Sequence, residues 1–151
     1  MGYMETTNQN SPTVSKTFPS ENVRVLIVDD QRFMRAALRR LLEVQPFFKV
    51  CGEADNGYEA VQKAFELKPQ VIVMDINMPG MDGLEATRQI HKTIPETEVV
   101  IFTQHELVQA ARAAEDAGAL GCVSKSEAAQ ELVPAITMVS QHRRYFPLQI
   151  P

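Results

Sequence analysis

QVIVMDINMPGMDGLEATRQI, residues 70–90, passes from an apolar strand through one carboxylate and a proline–glycine loop into an amphipathic helix. Val71–Met74 carry no polar residue, which is the texture of a strand covered on both faces. Pro79, Gly80 and Gly83 break the periodicity and mark a loop. The following GLEATRQIHKTI has helical spacing and is stopped by Pro95.

The same unit recurs on either side. VRVLIVDD, residues 23–30, is an apolar run ending in Asp29 and Asp30. QRFMRAALRRLLEV follows, with Met34, Ala37, Leu38, Leu41 and Leu42 at helical spacing and Arg32, Arg35, Arg39 and Arg40 read as its solvent side. Phe33, just past the acidic pair, is assigned to the core rather than to a docking surface. FKVCG, residues 48–52, is a short strand, and GYEAVQKAFEL is a helix with Ala60, Val61, Ala64, Phe65 and Leu67 on its apolar side, closed by Pro69. EVVIFT is a further strand ending in Thr103, followed by the alanine-rich ELVQAARAAEDAG, where Gly118 suits a left-handed cap. ALGCVSK is the last strand and ends in Lys125; a final helix spans about Glu127 to Gln141 and contains Pro134, which removes a backbone donor. Strands alternating with helices five times imply a parallel α/β sheet with helices on both faces.

The 151 residues suffice for one domain with a sizeable core. Residues 1–22 are rich in Thr, Asn, Ser and Pro and read as a disordered N-terminal tail. Residues 23–145 form the domain, and 146–151 are a C-terminal tail or the start of a linker. No apolar run reaches the roughly 20 residues of a membrane span, and no export signal is legible. Cys51 and Cys122 lie in strands without CxxC spacing, which fits reduced thiols in a cytoplasmic protein. A net charge of −4 argues against direct nucleic-acid binding by this chain. His91, His105 and His142 lack zinc-ligand spacing, and His91 reads as a solvated helix residue.

In an open parallel sheet, ligands bind beyond the carboxyl ends of the strands. Here those ends hold Asp29, Asp30, Asp75, Thr103 and Lys125. A single Asp in such a place is commonly a cap or turn former, and a single Lys or Thr is commonly uninformative. Together they define a site. Carboxylates brought together repel and push at least one pKa upward, and a divalent cation with a preference for oxygen ligands, Mg²⁺, relieves that repulsion. Asp75 is the candidate nucleophile toward phosphorus, with Mg²⁺ and Lys125 neutralising transition-state charge and Thr103 donating to a phosphoryl oxygen.

The segments VLIVDD, VIVMDINMPGMDGLEA, the FT ending the fourth strand and AGALGCVSK resemble the signature segments of bacterial two-component response-regulator receivers, most closely the NarL/FixJ type. The resemblance covers about residues 23–145. It implies a flavodoxin-like (βα)5 fold with strand order 2-1-3-4-5. It further implies that Asp75 accepts a phosphoryl group from a sensor histidine kinase or phosphotransfer domain. Asp30, Asp75 and the backbone carbonyl of Asn77 would touch Mg²⁺, with Asp29 acting through metal-bound water. Lys125 would pair with the phosphate and Thr103 would move toward it on activation, while Asn77 and His105 hold positions that tune phosphoryl loss. From the residues alone, His105 reads equally as an exposed loop position. Such a chain is a signalling switch catalysing only its own phosphorylation and dephosphorylation, and a homodimer through the last helix–strand–helix face is a family expectation.

Three positions depart from the family pattern. Cys122 stands where an aromatic ring commonly swings inward, so the relay to the output face is expected to differ. Ser126 replaces a proline that commonly follows the lysine through a cis bond, and Gln104 replaces a small residue and narrows access to Asp75. The carboxyl end, HRRYFPLQIP, resembles the start of a linker to an output domain. Two other readings compete: a receiver-like scaffold that is never phosphorylated, and a Mg²⁺-dependent phosphohydrolase. The complete set of strand-end residues disfavours the first. The second needs an Asp two residues after the nucleophile, where Asn77 stands. A dinucleotide site is excluded because no GxGxxG follows the first strand.

Overall fold

The computed structural model describes residues 22–147; the expectation for the N-terminal tail, apart from Asn22, and that for residues 148–151 lie outside the described residues. Five strands, β1 (Val23–Val28), β2 (Phe48–Ala54), β3 (Val71–Met74), β4 (Glu98–Thr103) and β5 (Gly121–Ser124), alternate with five helices. The helices are α1 (Arg32–Glu43), α2 (Gly57–Leu67), α3 (Gly83–Thr93), α4 (Leu107–Ala117) and α5 (Ala128–Ser140). A 3₁₀ turn, Lys125–Glu127, leads into α5. All strand pairs are parallel, in the order β2-β1-β3-β4-β5.

The period-two alternation of the strands builds two cores. Leu26, Val28, Ile72, Met74 and Ile101 face α2, α3 and α4, which bury Ala60, Ala64, Ala86, Ile90, Ala111 and Ala114 against them. Val25, Ile27, Val71, Val73, Val100 and Phe102 face α1 and α5 through Leu38, Leu42, Leu132 and Ile136. The chain leaves β1 toward β2, returns to β3 on the other side, and then proceeds outward. Right-handed crossovers taken in opposite directions put helices on opposite faces. The strand order therefore reverses between β1 and β3, opening a crevice at their carboxyl ends.

Local chemistry sets the helix ends. The Asn56 and Asp82 side chains accept from the Glu59 and Glu85 amides, each at 2.9 Å, and start α2 and α3. Gly118 closes α4 at φ +101°, as its sequence position predicts. The α5 helix runs through Pro134, so the Gln130 carbonyl lacks its usual helical donor. Gly83 matters for a different reason. A Cβ there would lie 1.9 Å from the Asp75 carbonyl oxygen, so the first turn of α3 can only sit against the end of β3 with no side chain between them.

Four sequence expectations are corrected. Phe33 is not core but 73% exposed, because the buried stripe of α1 begins at Met34 and continues through Leu38, Leu41 and Leu42, a rotation of one residue away. Ala37 is likewise exposed. Phe65 is exposed on α2, whose sheet-facing positions are the small Ala60 and Ala64, and the Lys68 ammonium sits 4.6 Å from its ring centre. Arg35 and Arg39 do not simply face solvent: both pair with Glu53 on β2, at 3.0 and 2.7 Å.

After α5 the chain returns along the free edge of β5. Tyr145 N–H donates to the Leu120 carbonyl and Cys122 N–H to the Tyr145 carbonyl, each at 3.0 Å, forming a parallel bridge with Gly121. The ladder cannot extend, because the next donor position is Pro147, which has no N–H.

The contact at Gly83 yields a stability prediction. Gly83→Ala should destabilise the fold at or above the upper end of the roughly 1–3 kcal/mol typical of overpacking, read as a lower urea midpoint at unchanged slope.

Candidate functional site

The carboxyl ends of β1 and β3 are hydrogen-bonded neighbours, so residues following them emerge side by side. Asp29 and Asp30 follow β1, and Asp75 follows β3. One carboxylate oxygen from each of the three lies within 4.8 Å of the others. Asp29 is fully buried and Asp75 is 6% exposed, whereas Asp30 faces solvent.

Lys125 supplies the compensating charge from the end of β5. Its ammonium donates to Asp29 Oδ2 at 2.8 Å and lies 3.3 Å from Asp75 Oδ1. Burial alone would lower the Lys125 pKa, but the Asp29 hydrogen bond and the charges of Asp75 and Asp29 outweigh it and raise it. One cation does not balance three carboxylates. Burial, reinforced by the Asp29 charge, holds the Asp75 pKa above the ordinary aspartate range despite Lys125. Crowding, expected from the sequence to raise a carboxylate pKa, contributes at Asp75 second to burial.

Around these charges a small cleft of about 210 Å³ is lined by Asp30, Gln31, Asp75, Asn77, Gln104, His105 and Lys125. His105, Gln104 and Asn77 are exposed at its mouth. Thr103 is fully buried at the end of β4, and its Oγ1 accepts from the His105 amide at 3.0 Å. Accepting that bond leaves its hydroxyl proton free to donate. The Lys125–Ser126 peptide bond is trans, and Ser126 N–H donates to Ser124 Oγ at 3.3 Å.

Cys122 lies apart from the cleft, buried in β5, and burial pushes its thiol up to about 12, well out of the reactive range. The space beside it is a larger cavity of about 510 Å³, bordered by Leu107, Glu131, Tyr145 and Phe146 among others. Aromatic rings therefore reach this region from the segment following α5 rather than from position 122. The Tyr145 hydroxyl bonds the Glu131 carboxylate, and Arg144 pairs with Glu115 at 2.5 Å.

The sequence reading missed the residues that hold the acidic loop. Asp29 Oδ1 accepts from the Gln31 amide at 2.9 Å, closing a local turn. Asp29 N–H donates to the Ala54 carbonyl at 3.1 Å, and Arg35 Nη1 donates to the Asp29 carbonyl at 2.8 Å. The Asp-x-backbone turn had a local signal in the Asp-Asp-Gln order. The Arg35 contact had none, because it depends on where α1 lies.

Residues 25–137 match the family described as response regulator receiver domain. Response regulator GacA of Pseudomonas viridiflava is 41% identical over 128 residues, which cover 85% of this chain and 60% of that protein. Transcriptional regulatory protein LiaR of Bacillus subtilis (strain 168) is 40% identical over 119 residues, covering 79% of this chain and 56% of its own. The chain thus spans about three-fifths of the length of the curated relatives it matches. Among solved structures, a LuxR-family two-component response regulator from Aurantimonas sp. SI85-9A1 superposes with a TM-score of 0.81 at 38% identity, covering 86% of this chain and 93% of that one. The response regulator domain of Thermotoga maritima CheB gives 0.74 at 36% identity, covering 80% and 98%.

The raised Asp75 pKa has a thermodynamic consequence. A carboxyl whose folded pKa exceeds its unfolded value favours folding when protonated; that stability is present below the ordinary carboxylate range and is lost as pH rises through the folded pKa. In metal-free protein, Asp75→Asn should therefore raise the thermal midpoint at pH 7, and the gain should shrink as the pH is lowered through the carboxylate range. Thermal melts of both proteins across that range measure it.

Proposed function

This chain belongs to the response regulator receiver domain family, signalling proteins of two-component systems rather than classical enzymes, and from that premise we propose that Asp75 is its phosphoryl acceptor. The observation that carries the proposal is the pairing of a nearly buried Asp75 with Lys125 beside two further carboxylates, in the lining of a polar cleft.

The donor set fits a hard divalent cation. Asp29, Asp30 and Asp75 offer only oxygen, their oxygens already converge, and Lys125 leaves negative charge uncompensated. Receiver domains bind Mg²⁺ at an acidic pocket of this kind, and here Asp30, Asp75 and the Asn77 carbonyl would hold it, with Asp29 acting through a bound water. When bound, Mg²⁺ supplies charge neutralisation for the phosphoryl oxygens.

The chain's own residues do the rest. An Asp75 carboxylate oxygen attacks the phosphorus of a phosphohistidine; the P–O bond forms, the P–N bond breaks, and the imidazole nitrogen leaves with the electron pair and takes up a proton. Lys125, already touching Asp75, shifts its ammonium onto a phosphoryl oxygen as the carboxylate loses its charge in the acyl phosphate. Thr103 turns its hydroxyl proton toward another of those oxygens. Asn77, Gln104 and His105 line the way in and govern how water reaches the acyl phosphate.

The donor proposed is a sensor histidine kinase or a phosphotransfer domain. Output would pass through protein contacts of the receiver unit, residues 23–145, and its α4–β5–α5 face is the proposed homodimer surface. With Cys122 ringless and buried, the aromatic side chains available to that face are Tyr145 and Phe146.

Incubation with acetyl phosphate and Mg²⁺ should add one phosphoryl mass to the intact protein. The increment should vanish in Asp75→Asn and when EDTA replaces the metal. Absence of the increment in wild-type protein, together with no spectral response to beryllofluoride, would favour an unphosphorylated scaffold.

A further inference from the structure

We propose that Arg35 is a positioning residue for the acidic pair, setting the direction of the peptide unit between Asp29 and Asp30 and so the aim of the Asp30 carboxylate. The proposal rests on the reading of the site as a Mg²⁺-dependent phosphoryl acceptor.

Asp29 is restrained at every polar atom. Its N–H is held by Ala54, its side-chain oxygens by the Gln31 amide and Lys125, and its carbonyl by Arg35. Asp30 differs. It is exposed, and among the described residues no hydrogen bond holds its carboxylate. Where that carboxylate points is therefore decided by the backbone leading into it. The peptide carbonyl immediately before it is the one that Arg35 grips, at 2.8 Å.

The grip is itself anchored. The Arg35 side chain is 16% exposed, and its Nε donates to Glu53 Oε1 at 3.0 Å, while Nη1 reaches the Asp29 carbonyl. The planar guanidinium thus spans two acceptors in a fixed fork, which a single ammonium cannot reproduce. Glu53 is fixed in turn. Arg39 donates to its other oxygen at 2.7 Å, the Lys63 ammonium donates to its backbone carbonyl at 2.5 Å, and β2 pairs it opposite Ile27 of β1. Burial works against the Glu53 charge, but Arg39 and Arg35 outweigh it and hold its carboxyl below the usual range. The path from sheet to metal-facing group is continuous: β2, Glu53, Arg35, the Asp29 carbonyl, Asp30.

Charge and position make opposite predictions, which makes the inference testable. As a mere positive charge near three carboxylates, Arg35 would compete with a cation, and its removal would tighten Mg²⁺ binding. As a positioning residue, its removal loosens Asp30 and weakens binding. Loss of such outer supports typically costs about 10–100-fold in metal affinity. Mg²⁺ affinity is to be measured by titration calorimetry on wild type, Arg35→Gln, Arg35→Lys and Glu53→Gln, with thermal midpoints recorded alongside. We expect about tenfold or more weakening in Arg35→Gln, with the protein still folded cooperatively. Arg35→Lys should also weaken binding despite its retained charge, and Glu53→Gln, which keeps Arg35 but removes half its anchor, should fall between. Unchanged or tighter binding in Arg35→Gln, against a normal wild-type isotherm, overturns this proposal and leaves the phosphoacceptor reading standing. Should Arg35→Gln not fold, unchanged affinity in both Arg35→Lys and Glu53→Gln overturns it equally. A wild-type protein with no Mg²⁺ isotherm overturns the metal reading and this proposal together.

Discussion

Three carboxylates held within 4.8 Å of one another at the edge of a sheet are a standing electrostatic cost, and the structure around them is organised by it. Two of the three are almost without solvent, so water does little to screen them. Among the described residues, Lys125, directly after β5, supplies the ammonium that touches both Asp29 and Asp75. The remaining imbalance is the physical basis for the proposal that the site takes a cation and a phosphoryl group.

Topology is what allows such a cluster to exist. Carboxylates from β1 and β3 meet because those strands are hydrogen-bonded neighbours, although 46 residues separate Asp29 from Asp75 along the chain. The close approach of Gly83 to the Asp75 carbonyl then lets α3 begin directly against the site. On the other side, Thr103 and Lys125 arrive from adjacent β4 and β5, whose ends are paired through Thr103 and Ser124. Two strands, β4 and β5, lie between Asp75 and the β5 edge, and on that edge lie Cys122 and the Tyr145–Phe146 segment rather than a ring at position 122.

Much of this was legible in the sequence. Apolar runs ending in Asp29–Asp30, Asp75, Thr103 and Lys125 could be read directly, because strand burial on two faces leaves an unbroken hydrophobic signature and the first polar residue marks its end. The helix spans were equally readable, since caps such as Asn56, Asp82 and Gly118 act within a few residues of themselves. Among the apolar assignments, the reading failed on rotation. Met34, Leu38, Ala60 and Ala64 face inward as their spacing predicts, but Phe33, assigned to the core, and Phe65, included in the apolar side of α2, lie just off those faces and are exposed.

The sequence by itself determined the order of elements, the parallel sheet and the residues standing at its carboxyl edge, because periodicity, capping and strand burial are properties of neighbouring residues. Only the tertiary structure decided which charges pair. Arg35 and Arg39 looked like solvated surface until β2 placed Glu53 beside them, 18 and 14 residues away in sequence. Tyr145 gained its place on β5 only when the chain after α5 met the free edge of the sheet. Such pairings depend on how whole elements dock, and the free energy that docks them belongs to two cores assembled from all five strands and all five helices.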